Sequence, residues 1–346
     1  MSANQNNNPG GDQPKEKPPG YFARCEIIQN PIFGLGLIAL IAVGMGSFLN
    51  LFGWASHHQS KAKSVIIYTS QDEEYADPIF RDFEKQTGIQ VKAVYDSEAV
   101  KTVGLVNRLL AENSHPQCDV FWNNEELRTR LLASRNIFRE TNGWVLMGYR
   151  TRRLVVNTNL LSLAKAPRTF SDATNEIWRG KVALAYPLFG TTATHFLALR
   201  QHWGDAPWQA WCRALVANKP FLLDGNSVAV KQVGGGEALV GFTDSDDVAS
   251  EQREGLPVTT MPLTDENLIV HNTAGVVRDS PHPAEAQRLF NYLQSAEVQQ
   301  RLVEKKALES ATPADPKTQP GLKVNWDDLL RDLDSGTKEM ETIFLR

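Results

Sequence analysis

The sequence predicts an α/β fold built on a mostly parallel sheet. Three observations carry that prediction. From residue 64 onward, short β-branched runs alternate with amphipathic helical stretches. No Gly- or Ser-rich tether divides residues 60–346, so any passage between domains runs through strands. With 346 residues, 42% apolar and 22% charged, the chain is large enough for one large or two ordinary globular domains.

The elements follow in order. Residues 1–31 are rich in Asn, Gln, Gly, Pro and charge, a composition that buries too little surface to offset chain entropy, and a disordered tail is expected. Residues 32–55, IFGLGLIALIAVGMGSFLNLFGWA, carry no charge and have the length of one helical membrane crossing. An uncleaved anchor is expected there. Small residues at Gly53 and Ala55 leave a cleaved signal ending before Ser56 as the alternative. Three basic and three acidic side chains in residues 1–31 leave the orientation unset by charge.

Beyond the span, SVIIYT at 64–69 reads as a buried strand. Gln71–Thr87 reads as a helix with Tyr75, Ile79, Phe80 and Phe83 on one face and Gly88 as its stop. A strand at Ile89–Tyr95, a helix at Val100–Glu112, a strand at Cys118–Trp122 and a helix at Leu127–Ser134 continue the alternation. Strands are expected at Leu154–Asn157, Lys181–Ala185, Leu239–Thr243 and Val258–Met261. Helices are expected through Thr194–Trp203 and at Trp208–Ala217, Pro283–Gln294, Ala296–Val303, Trp326–Leu333 and Lys338–Phe344.

Composition excludes some function classes. A net charge of −4 gives no basic face for phosphate neutralisation, so a nucleic-acid partner is not expected. Three cysteines are too few for a disulfide scaffold, and buried thiols at Cys118 and Cys212 are the expectation ahead of a Cys118–Cys212 pair. There is no GxxxxGK[ST], no strand-borne GxGxxG, no GxSxG and no HExxH. The sequence therefore points away from an enzyme.

In an open α/β sheet, ligands bind beyond the carboxyl ends of the strands. The turns at those ends are polar throughout: Ser70, Gln71 and Asp72; Ser97; Asn123, Asn124 and Glu125; Gly190, Thr191 and Thr192; and Asp244, Asp246 and Asp247 in TDSDD. Asn226 completes the candidate ligand set. Helix capping is the plain alternative for each turn. The acidic trio stands out, because clustered carboxylates repel unless a cation is near. The GTT turn opens a helix, where free N–H groups suit an anion. Trp122, beside these turns, is placed to stack on a cation.

The segments YTSQDEEYADPIFRDFEKQTGIQV, DVFWNNE, GTTATHF, GGGEALVGFTDSDD and HPAEAQRLFNYLQSAEVQQRL, in that order, resemble the extracellular solute-binding proteins of bacterial ABC importers, of the type II periplasmic-binding-protein fold. The branch they resemble is the ferric-ion-binding one, with relatives for aminophosphonates, thiamine and polyamines. The resemblance covers about residues 64–346. It implies two α/β lobes with the ligand cleft between them: lobe one from 64–153 plus 265–346, lobe two from 154–264.

The resemblance also implies a site. Ferric members use a His and a Glu from lobe one and two adjacent tyrosines from lobe two. Here the His position falls on Asp72, the Glu on or beside Glu125, and the tyrosine pair on Asp246 and Asp247. Losing both phenolates puts iron in doubt, yet an all-oxygen acidic set of Asp72, Glu125, Asp246 and Asp247 suits a hard cation. A metal ion accompanied by an anion is the first expected cargo. A small organic cation or zwitterion, such as an aminophosphonate or polyamine, is the second. No cofactor is expected beyond such a metal as ligand. The expected partners are an importer permease and, through residues 32–55, the inner membrane, with a monomer on the periplasmic face. A membrane-tethered sensory or scaffold ectodomain is the alternative of another class.

Overall fold

The computed structural model describes residues 63–96, 102–141, 143–315 and 319–345. The expected tail, the apolar segment 32–55 and Ser97 lie outside the described residues. Among the described residues no helix is long and apolar enough to cross a membrane.

The first half alternates as expected: β1 (Ser64–Thr69), α1 (Glu73–Thr87), β2 (Gln90–Tyr95), α2 (Val103–Ala111), β3 (Val120–Asn123) and α3 (Leu127–Ser134). Helix α1 buries Tyr75, Ala76, Ile79, Phe80 and Phe83, and stops where Gly88 turns left-handed at φ 69°. Next come β4 (Trp144–Asn157), β5 (Val182–Ala185), α4 (Gly190–Trp203), α5 (Asp205–Ala217), β6 (Phe221–Leu223), α6 (Asn226–Gly234), β7 (Val240–Asp244), α7 (Ser245–Arg253) and β8 (Val258–Thr260). The chain closes with β9 (Ile269–Val276), α8 (Pro283–Leu293), α9 (Ala296–Glu304), α10 (Trp326–Arg331) and α11 (Leu333–Phe344).

Among the described residues the strands run β2-β1-β3-β9-β4-β7-β5-β6, with β8 also on β4. The expectation of a mostly parallel sheet needs correction. Pairs β1–β2, β1–β3, β5–β6 and β5–β7 are parallel, whereas β3–β9, β4–β9, β4–β7 and β4–β8 are antiparallel. The reason is that β4 and β9 cross between the two halves. Strand β4 pairs with β9 through Thr151, then with β7 from Arg152 onward. Each parallel end is thus an α/β lobe, and the crossing strands are the connection between them.

Each lobe has its own core. Val65, Ile67, Phe83, Val120, Trp122 and Leu289 pack together in the first, and Tyr68, Leu105, Cys118 and Phe121 line its other face. Phe170, Phe196, Trp208, Trp211 and Phe242 dominate the second. The terminal helices, expected with lobe one, carry Leu329, Leu333, Met340 and Phe344 into this second core instead. Gly336 permits that packing, since a Cβ there would come within 2.4 Å of Leu197. Cys118 and Cys212 are both buried free thiols, in different cores. Trp122 is fully buried with its ring edge-on to Phe80 at 5.8 Å, so it offers no face to a ligand.

Candidate functional site

The carboxyl ends of the strands of both lobes converge on one pocket. Asp72 and Asn124 line it from lobe one. Gly190, Thr191, Thr192, Asn226, Asp244, Asp246 and Asp247 line it from lobe two, and Arg150 lines it from the crossing strand. Ala185, Tyr186, Phe189, Asp224 and Gly225 complete the wall. The free volume is about 30 Å³, room for an ion or one or two waters with the lobes together as they are. Helices α4, α6 and α7 all begin at this pocket, so their free N–H groups face it.

Asp244 is the hub. It ends β7, directly opposite Arg152 on β4. Its carboxylate accepts from Arg152 Nη1 at 3.0 Å, Arg150 Nη2 at 3.2 Å, Thr191 Oγ1 at 2.7 Å and Asn226 Nδ2 at 3.2 Å. Burial opposes its charge, but the two guanidinium groups and the Thr191 hydroxyl outweigh that and hold its pKa well below the usual carboxylate range. Arg150 is the mirror case. Burial pulls its pKa down, while Asp246, Asp244, Asp247 and Asp72 together raise it above the ordinary value. Arg150 Nη1 also donates to Asn124 O at 2.8 Å and to Asn272 Oδ1 at 3.2 Å, so it ties lobe one, the crossing strands and lobe two together.

Asp246 and Asp247 occupy the first turn of α7, where carboxylates complement the helix dipole. Oxygens of Asp244, Asp246 and Asp247 lie within 4.8 Å of one another. The Asp246 Oδ1 lies 3.1 Å from Arg150 Nε, out of line for a hydrogen bond. Thr243 Oγ1 donates to Asp247 Oδ2 at 3.2 Å.

The remaining expected residues stand behind the pocket. Ser70 Oγ lies 2.6 Å from Asn123 Oδ1 and 3.0 Å from Asn124 Oδ1, buttressing the Asn124 turn. Gln71 Oε1 accepts from Asn272 Nδ2 at 2.9 Å. Glu125 does not line the pocket. Its two oxygens accept the Leu127 and Arg128 N–H groups at 2.8 and 2.9 Å, opening α3, and one also takes the Thr194 hydroxyl from lobe two at 3.2 Å. Burial raises its pKa. Sequence reading missed Arg150, Arg152 and Tyr186. Arginine at 150 and 152 falls at i, i+2, one face of a strand, which is the signal that was present.

A family model for the bacterial extracellular solute-binding protein matches residues 66–305. The chain belongs to that family. Proteins of this family bind solutes rather than transform them, in keeping with the missing catalytic motifs. The solute-binding chain is 25% identical over 330 residues to an Fe(3+)-binding periplasmic protein of Serratia marcescens, covering 88% of this chain and 92% of the relative. Its fold matches iron-bound HitA from Pseudomonas aeruginosa at a TM-score of 0.70 and 21% identity, over 80% of this chain and 99% of HitA. It also matches the periplasmic binding protein AfuA from Actinobacillus pleuropneumoniae, solved with exogenous fructose-6-phosphate, at 0.68 and 16% identity, over 82% and 99%. These likenesses establish the two-lobed periplasmic-binding-protein fold.

Proposed function

We propose that this solute-binding protein is the extracytoplasmic receptor of an ABC importer, and that its cargo is a hard metal cation, iron-like, held with a small anion between the lobes. One observation carries the reading: carboxylates from both lobes, Asp72 from one and Asp246 and Asp247 from the other, line a single ion-sized pocket. All-oxygen ligation suits a hard cation. Tyr186, a residue of the type whose loss put iron in doubt, belongs to the same wall. The starts of α4 and α6 offer N–H groups for the accompanying anion. The printed names of the Serratia relative and of HitA, one Fe(3+)-binding and one iron-bound, point the same way.

Glu125 is left out of the ligand set, because the start of α3 uses both its oxygens. Residues 32–55 would hold the receptor at the inner membrane, beside its permease. A small zwitterion is the second reading, favoured by helix starts and carboxylates facing each other across the pocket.

Elemental analysis of the purified full chain, never exposed to chelator, tests the proposal. About one equivalent of iron, lost in Asp246→Ala, is the expected result. A chain that takes up no metal yet is thermally stabilised by an aminophosphonate would replace the first reading with the second.

A further inference from the structure

Helix α7 carries more than the aspartates. Asp246, Ser250 and Arg253 fall at i, i+4 and i+7, one face of a nine-residue helix. That face meets lobe one. Ser250 Oγ donates to Glu74 Oε1 at 3.0 Å. Arg253 Nη2 donates to Tyr75 OH at 3.0 Å and lies 3.5 Å from Glu74 Oε2, and Arg253 Nη1 donates to Lys305 O at 3.0 Å. The guanidinium carbon stands 5.8 Å from the Tyr75 ring centre. Burial raises the Tyr75 pKa beyond its ordinary value, so its hydroxyl stays protonated and available as an acceptor.

These contacts lie at the rim of an outer vestibule. Asp72, Asp246 and Asp247 belong to both this vestibule and the inner pocket, while Glu74, Tyr75 and Ser250 line the vestibule alone. One rigid helix thus bears the pocket carboxylates at its start and a clasp to the opposite lobe at its end. None of the clasp residues lines the inner pocket itself.

We infer that Arg253 and Ser250 form a cargo-independent latch between the lobes, which sets how much of the empty receptor is closed and how slowly cargo leaves. The latch rests on the two-lobed fold; only its effect on cargo rests on the proposed function. Arg253 is a positioning residue here, acting through α7 on Asp246 and Asp247.

Spin labels on the full chain test it, at Lys85→Cys on α1 and Val228→Cys on α6 with Cys25→Ser, both sites being exposed. In the absence of cargo, Arg253→Ala should add a longer inter-label distance to that of the parent. Tyr75→Phe, which removes one acceptor and keeps the ring, should shift it the same way by less. With ferric citrate as probe, Arg253→Ala should release iron about 3- to 10-fold faster. Inter-label distances that are the same in the parent and both variants, each with the parent's melting temperature, would overturn the latch. Failure of the parent to bind iron would instead remove the metal reading, leaving the cargo-free distances to decide the latch.

Discussion

Two arginine-centred crossings span the cleft, one buried and one exposed. At the centre, Arg150 and Arg152 are 2% and 0% exposed and share Asp244. At the rim, Arg253 and Glu74 are 40% and 51% exposed. Both are guanidinium–carboxylate contacts, yet burial gives them different roles. A buried charge cannot find water when its partner is removed, so the inner knot is tied to the stability of the fold. An exposed pair exchanges partner for solvent at little cost, so the outer one can open and close. The same chemistry therefore serves a fixed pivot and a reversible clasp.

The comparison breaks most directly at Asp244. Asp244→Ala removes the carboxylate that the buried Arg150 and Arg152 share, and chemical denaturation should show a loss of about 3–5 kcal/mol. A loss below ~1 kcal/mol would mean the knot is not what the burial implies. Acid sharpens the same point. The Asp244 pKa is depressed in the fold, so its contribution is complete above the unfolded carboxylate value of about 4 and fades as pH falls below that.

His195 gives a separate pH signature. Burial first, then the Arg152 charge, pull its pKa down to about 3, and its Nε2 faces Glu266 O at 2.8 Å. The unfolded chain takes up that proton near pH 6.5, the folded chain not until about 3. Stability from this group is therefore complete above about pH 6.5 and is lost on the way down, by at most about 1.4 kcal/mol per pH unit. His195→Gln should flatten that part of the stability–pH curve.

Smaller effects separate capping from cargo. Glu125→Ala should cost about 1–2 kcal/mol through the start of α3, with iron binding intact; lost iron at unchanged stability would return Glu125 to the ligand set. Ser250→Ala, at the exposed rim, should change stability by only about a few tenths of a kcal/mol while still lengthening the inter-label distance. A stability loss as large as that of Asp244→Ala would erase the distinction between pivot and clasp.

Much of the site was legible because turns at strand ends are local. Asp72, Asn124, Thr191 and Asp246 could be placed there once the β1, β3, β5 and β7 runs were recognised by their β-branched residues. Of the crossing strands only the Leu154–Asn157 end of β4 was legible. Strand β9 reads IVHNTAGV, with His271, Asn272 and Gly275 interrupting any apolar pattern. Strand β4 carries Gly148, Arg150, Arg152 and Arg153 ahead of its apolar end. Polar residues in these stretches pair with distant side chains, Arg150 and Arg152 with Asp244, His271 with Glu126 and Arg153 with Glu309. Glu125 misled for the converse reason: a carboxylate at a helix start serves a cap as well as a ligand, and sequence does not separate the two.

By itself, then, the sequence determined the α/β alternation, the absence of catalytic motifs and the acidic character of the α7 start, because each follows from patterns within about ten to twenty residues; the two lobes were implied only by the family resemblance. Tertiary structure alone decided that Arg152 faces Asp244 across β4 and β7, that the last helices belong to the second core, and that α7 clasps α1. Those facts join residues up to 179 positions apart, and no local pattern encodes which of many available charges a guanidinium will meet.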